Sequence, residues 1–243
     1  MTLIASHRGG ALQWPENSPT AFRNTAALPV DQVEFDIHPT ADGEIVVIHD
    51  ATLNRTTSGT GPVAARSLAE LRALTLTGTV DDRIMTLAEF CALFAPTGIT
   101  LRMEVKPDYD HRPYPGLLVQ ALGVLDAAGL RARTVVTGFQ VATVAEAAVL
   151  PGLAGAIWLV APVVQDDIGL AAVVAVAAAH GVRNVGIRQN RLDGDVLAVL
   201  RGHGLGVGAW AVNDEDAIRR MLALGVDVFT TDVPTTALAL GGR

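Results

Sequence analysis

Short runs of apolar and β-branched residues alternate along the chain with longer stretches whose apolar positions recur at helical spacing. The runs at 3–5, 32–37, 45–48, 99–105, 134–137, 155–160, 184–187, 205–211 and 226–230 predict strands. The stretches 20–27, 87–94, 115–128, 141–149, 169–180, 193–203, 214–224 and 234–240 predict helices. Gly129, Gly181, Gly204 and Gly225 follow four of these, as a C-terminal cap requires. Regular alternation of strand and helix implies parallel strands joined by right-handed crossovers. About eight such units predict one (β/α)8 TIM barrel, although an open sheet would share the periodicity.

Two places interrupt the pattern. Thr40-Ala41-Asp42-Gly43 separates two strand-like runs, and its Asp-Gly pair signals a hairpin, so 45–48 is expected to fold back beside 32–37. The segment 51–83, polar apart from a short helical stretch near 68–74, reads as a cap-like insertion over one end of the barrel. The whole chain, 1–243, is expected to be a single domain with that insertion.

Composition supports this and narrows the function. Half of the 243 residues are apolar, 18% are charged and aromatics are few, a globular profile suited to close-packed parallel strands. The net charge of −7 argues against nucleic acid as the main partner. An anionic ligand would have to be held by local cations. The one cysteine, Cys91, lies in an apolar helical pattern, so it reads as core and no intrachain disulfide can form. No basic stretch followed by an apolar run opens the chain, and the apolar run 170–179 is short of the ~20 residues that span a bilayer. The expectation is a cytoplasmic protein without stable membrane insertion.

In such a barrel the chemistry lies at the C-terminal ends of the strands. The polar residues there are His7 and Arg8, Glu34 and Asp36, His49 and Asp50, Glu104 and Lys106, Trp210 and Asn213, and Asp232. Strand side chains alternate, so Glu34 and Asp36 share one face, as do Glu104 and Lys106. Two carboxylates two residues apart in an apolar strand repel each other and lose hydration, and a bound cation relieves both costs. With Glu104 they form an all-oxygen set for one hard divalent cation, Mg²⁺ or Ca²⁺. The plainer alternative is a structural ion pair with Arg8 or Lys106. His7 and His49 can share acid and base roles around a phosphate, Arg8 can fork onto phosphate oxygens, and Asp50 can orient an imidazole. His38, His111, His180 and His203 lack such neighbours, and the last two read as helix-end residues. Gly204-Leu205-Gly206-Val207-Gly208 opens a predicted strand rather than a helix, so it is no dinucleotide fingerprint. The chain has no Gly-x-Ser-x-Gly elbow and no His-x-His pair in its first strand.

Seven motifs in order then resemble the glycerophosphodiester phosphodiesterase family. They are His7-Arg8-Gly9-Gly10; Pro15-Glu16-Asn17-Ser18 with Ala21-Phe22; Val33-Glu34-Phe35-Asp36-Ile37; His49-Asp50 with Leu53, Arg55, Thr56 and Thr57; Met103-Glu104-Val105-Lys106-Pro107; Trp210-Ala211-Val212-Asn213; and Thr230-Thr231-Asp232-Val233-Pro234. The resemblance implies a (β/α)8 barrel, one divalent cation held by Glu34, Asp36 and Glu104, and acid–base catalysis by His7 and His49. It further implies phosphate binding by Arg8 and Lys106 and contact of Trp210 with the alcohol end of a small glycerophosphodiester. A lysophospholipase D-like activity on a lipid is the rival, and a non-catalytic barrel a more distant one. Departures are Met85 for a usual proline, Ser18 for threonine, and Thr137-Gly138-Phe139 where a Ser-Phe pair is common. Only the last bears on the pocket. Head group, cation and oligomeric state stay open.

Overall fold

The structure, a computed structural model, describes residues 1–242. In its first half β1 (Leu3–His7) leads to α1 (Pro19–Ala26), then β2 (Gln32–Pro39), β3 (Ile45–Val47), α2 (Leu68–Arg72), α3 (Leu87–Phe94) and β4 (Thr100–Val105). After α4 (Leu117–Ala127), five units follow: β5 (Thr134–Gly138) with α5 (Val141–Val149), β6 (Gly155–Val160) with α6 (Pro162–Ala179), β7 (Asn184–Arg188) with α7 (Gly194–Gly202), β8 (Gly206–Trp210) with α8 (Glu215–Leu224), and β9 (Val228–Thr231) with α9 (Pro234–Leu240).

The strand order is β1-β9-β8-β7-β6-β5-β4-β2-β3, and a β1–β2 pairing closes the ring. Eight parallel strands make the barrel. β3 lies antiparallel on β2 outside it, as the Asp-Gly turn predicts. The register sets His7 against Glu34, Glu34 against Arg102, and Asp36 against Glu104, which in turn pairs with Thr137. The residues of the future site are therefore neighbours by backbone pairing alone.

Alternation along the strands divides two environments. Ile4, Val33, Phe35, Ile37, Leu101 and Met103 belong to the large core beneath the helices. Val135, Ile157 and Leu159 form a smaller cluster against Trp210. Phe35, between Glu34 and Asp36, packs against Phe90 at a ring separation of 3.9 Å, and Phe22 meets Phe90 edge-on at 4.8 Å. Each such buried ring contributes about 1.5–3 kcal/mol by burial. This aromatic wedge between α1, α3 and β2 holds the strand that carries both acids. Cys91 is buried in the same core.

Helix ends follow local chemistry. Ser18 caps α1 with Pro19 in the first turn, and Thr86 with Glu89 forms a capping box on α3. Gly129, Gly181, Gly204 and Gly225 adopt φ between 66° and 76°. The helix expected at 169–180 instead begins at Pro162 and is two helices joined at Gly169 (φ 74°, ψ 164°). Its first turns, Val163 to Ile168, show no apolar periodicity. Other boundaries coincide or move by one or two residues. The segment after β3 gathers Ile48, Leu53, Val63, Leu71, Leu76 and Ile84 around Val46 as a small separate core.

Candidate active site

The first strand ends in an abrupt turn. Arg8 has φ 50°, and Gly9 and Gly10 continue with positive φ. A Cβ on Gly9 would stand 2.8 Å from that of Ala21, so only glycine lets this turn lie against α1. The turn returns the Arg8 amide to Glu34, whose Oε2 accepts at 3.1 Å.

Glu34, Asp36 and Glu104 are all buried, and one carboxylate oxygen from each lies within 4.8 Å of the others. They face two cations, Lys106 and Arg8. Lys106 Nζ is 2.7 Å from Glu104 Oε1 and 3.3 Å from Asp36 Oδ1. Arg8 Nε is 3.2 Å from Asp36 Oδ2, while its Nη1 donates to Glu16 Oε1 at 3.0 Å. Asn17 donates to Asp36 Oδ2 at 2.8 Å. The structural ion pairs weighed as an alternative thus coexist with the acidic cluster. They leave Glu34 Oε1 buried with no hydrogen-bond partner. A leftover acceptor within an all-oxygen set fits a hard divalent cation.

Burial and the nearby Asp36 carboxylate push the Glu34 pKa up to about 7. Burial acts the same way on Asp36, but Lys106, His49 and Arg8 outweigh it and hold that carboxyl well below its usual range. One acid of the pair is thus held ionised, while the other keeps its proton more tightly than a free carboxyl does.

Each histidine is held by a carboxylate. His7 Nδ1 lies 2.5 Å from Asp232 Oδ1, and Asp232 also accepts from Asn213 at 2.5 Å. His49 Nδ1 lies 2.5 Å from Asp50 Oδ1. An ionised carboxylate only accepts, so Nδ1 carries the proton and Nε2 is left to act. Nε2 of His7 is 3.7 Å from Glu34 Oε2. Burial opposes charge on His7, yet Glu34 and Asp232 prevail and its pKa is raised. At His49 burial prevails over the pull of Asp36, aided by Lys106 and Arg8, and its pKa is lowered.

These groups line a cavity of ≈ 280 Å³ that also exposes Arg102, Thr137, Phe139 and Trp210. Trp210 meets Phe139 edge-on at 5.6 Å, donates Nε1–H to the Gly186 carbonyl at 3.2 Å, and has the Arg188 guanidinium 5.7 Å from its ring centre. All eight residues singled out from the sequence, His7, His49, Arg8, Lys106, Trp210, Glu34, Asp36 and Glu104, are at this one end of the barrel. Seven line the cavity, and Asp36 lies buried beside it.

Several contributors are not legible in the sequence. Asp232 is visible as a polar strand end, but not as the partner of His7, 225 residues away. Glu16 and Arg55 appear only as motif letters. In the fold Arg55 grips Glu16 (2.6 and 2.8 Å) and Asp50 (2.7 and 3.0 Å), joining the residues behind Arg8 and His49. His38 does have a setting: it is buried, its Nε2–H donates to the His49 carbonyl at 3.0 Å, and the Tyr114 hydroxyl donates to its Nδ1 at 3.3 Å. Burial depresses its pKa to about 4, so it stays neutral behind the catalytic candidate. Arg102 hides in an apolar strand, where only its period-two spacing from Glu104 could have flagged it.

Residues 7–236 match the glycerophosphoryl diester phosphodiesterase family. A glycerophosphodiester phosphodiesterase of Caldanaerobacter subterraneus subsp. tengcongensis is 27% identical over 98% of this chain and 97% of its own. A crystal structure from Agrobacterium tumefaciens, described as a glycerophosphoryl diester phosphodiesterase, superposes with a TM-score of 0.95 at 39% identity, covering 99% of this chain and 97% of that one. An Oleispira antarctica phosphodiesterase solved with its product sn-glycerol-3-phosphate shares the fold, with a TM-score of 0.82 at 23% identity over 100% and 98% of the two chains. The (β/α)8 barrel, the cavity at its C-terminal end and a match along nearly the full length lead to one conclusion: the chain belongs to the glycerophosphoryl diester phosphodiesterase family and is an enzyme of that class.

Proposed function

We propose that the chain hydrolyses small glycerophosphodiesters to glycerol 3-phosphate and an alcohol, with one divalent cation held by Glu34, Asp36 and Glu104 and with His7 and His49 as the acid–base pair. The observation that carries this reading is a buried three-carboxylate cluster with an unpartnered oxygen, flanked by two histidines that carboxylates hold in the same tautomer. When bound, a cation there supplies Lewis-acid stabilisation of charge on the phosphoryl oxygens. Arg8 and Lys106, already among the acids, add positive charge where the phosphate would sit. One imidazole takes the proton of the attacking nucleophile, a water or a substrate hydroxyl, through Nε2, and the other gives a proton to the leaving alkoxide. The opposite pKa shifts of His7 and His49 suit that division of labour. Trp210 offers an apolar wall to the carbon skeleton of the substrate.

The test is release of glycerol 3-phosphate from choline, ethanolamine and inositol diesters, after chelation and then with Mg²⁺ or Ca²⁺ added back. Activity should vanish with chelation and return with one of the cations. Full activity in the chelated protein would refute the cation's role, and absence of glycerol 3-phosphate under every condition would refute the substrate class.

A further inference from the structure

Below the acidic cluster the cavity ends on an unusual floor. Arg102 precedes Glu104 by two residues on β4, so both side chains point into the barrel, with Arg102 one layer deeper. It is 1% exposed and lines the cavity, and its Nη1 has no hydrogen-bond partner. Among the described residues its guanidinium forms no ion pair either, although Glu34 and Glu104 are near enough to act on it through space. Thr137, in register with Glu104 on the next strand, is fully buried, lines the same cavity, and has an unpartnered Oγ1. Thr230 lines it as well. Buried donors are normally satisfied, and a buried guanidinium without partners is costly unless a guest or ordered water completes it. Neither residue has a part in the acid–base or cation chemistry described above.

We propose that Arg102 and Thr137 are specificity-determining residues that bind the hydroxyls of the glycerol end of the diester, so that the substrate enters glycerol-first with its head group toward the mouth. The inference rests on the phosphodiesterase reading above and deepens it. Charge decides the orientation. A choline or ethanolamine head group is cationic and would be repelled by a buried guanidinium, whereas a neutral polyol offers it acceptor oxygens. The walls agree, because Trp210 and Phe139 present ring surface to a carbon skeleton while Arg102 and Thr137 meet its oxygens. A site built to hydrogen-bond a hydroxyl discriminates strongly against analogues that lack one, since its own polar groups are then left unpaired.

The experiment compares kcat/KM for glycerophosphocholine and for bis(4-nitrophenyl) phosphate, which has no glycerol, at saturating divalent cation. The proteins are the wild type, Arg102→Met, Arg102→Lys and Thr137→Val. Arg102→Met should lose about 10- to 100-fold on glycerophosphocholine and less than about threefold on the aryl diester. Thr137→Val should show the same selectivity with a smaller loss, and Arg102→Lys should recover part of it. Calorimetry adds a readout without turnover: the wild type should bind glycerol 3-phosphate more tightly than methyl phosphate, and Arg102→Met should erase the difference. Equal losses on both diesters, or a glycerol advantage that survives in Arg102→Met, would overturn the proposal. Should Arg102→Met fail to fold, Thr137→Val and the wild-type binding comparison decide the matter. A wild type that cleaves neither diester would sink the phosphodiesterase reading, while the binding comparison would still judge the floor.

Discussion

His7 and His49 have the same local arrangement, a carboxylate on Nδ1 and a free Nε2, but opposite electrostatic surroundings. Glu34 and Asp232 favour charge on His7, whereas burial with Lys106 and Arg8 disfavours it on His49. In the proposed reaction each performs one proton transfer, a role typically worth about 10²–10⁴ in rate. His7→Ala and His49→Ala should each reduce kcat by at least about 10² at a little-changed melting temperature. A loss below about tenfold in either variant would remove that residue from the mechanism. The wild-type kcat/KM should also be bell-shaped in pH, falling when either ring carries the wrong proton.

At the scale of elements, β2 and β4 do two jobs by alternation. Phe35 and Met103 face the helix-covered core, and Glu34, Asp36, Arg102 and Glu104 face the barrel interior. The segment between β3 and α3 is tied to this face by Arg55. Its guanidinium forks onto Glu16, which holds Arg8, and onto Asp50, which holds His49. Arg55 hydrogen bonds, against a smaller effect of burial, hold the Asp50 carboxyl down at about 2. In the proposed site Arg55 would act as a positioning residue between Arg8, which binds phosphate, and His49. Lysine carries the charge without the planar double fork. Arg55→Lys should lower kcat by about tenfold or more and shift the pH limb that belongs to His49, with little change in melting temperature. A melting temperature that falls while the pH profile stays unmoved would make Arg55 a structural clamp only.

For the molecule as a whole, the acidic cluster links folding to pH and, in the proposed function, to a cation. In the cation-free protein Glu34 has its pKa raised by burial and by Asp36, so the native state holds that proton more tightly than the unfolded chain does. Its contribution to stability is full below the unfolded value of about 4.5 and is lost as pH rises through about 7. A bound cation reverses this by favouring the ionised carboxylate. Added Mg²⁺ or Ca²⁺ should therefore raise the melting temperature little at pH 5 and increasingly as pH rises to 8. At a hundredfold excess over Kd the stabilisation amounts to about 2.7 kcal/mol. A cation effect independent of pH, measured by calorimetry across that range, would exclude Glu34 as the ligand that exchanges a proton.

The alternation of apolar runs with helical stretches is enough to determine the succession of parallel strands and helices, because each announces its buried face locally, but closure into a barrel rather than an open sheet shows only in the β1–β2 pairing. The strand-end residues His7, Glu34, Asp36, His49, Glu104 and Lys106 are legible for a related reason: a charged group in an apolar strand is conspicuous against its neighbours. Trp210 is legible as a strand end, but its role is legible only through its motif. The first turns of α6 were not legible, since Val163 to Ile168 carry no apolar period and Gly169 breaks the helix between them and the predicted part. The partners that complete the site escaped as well. Asp232 reaches His7 across 225 residues because closure sets β9 beside β1, and His38 reaches back to His49 because β3 folds against β2. Arg102 drew no reading from the sequence, and only the fold shows it buried two residues before Glu104 with its Nη1 unpartnered. Local hydrophobic pattern determines which residues face inward; only closure of the ring and its register decide which inward-facing groups meet, because those contacts join segments that no local periodicity connects.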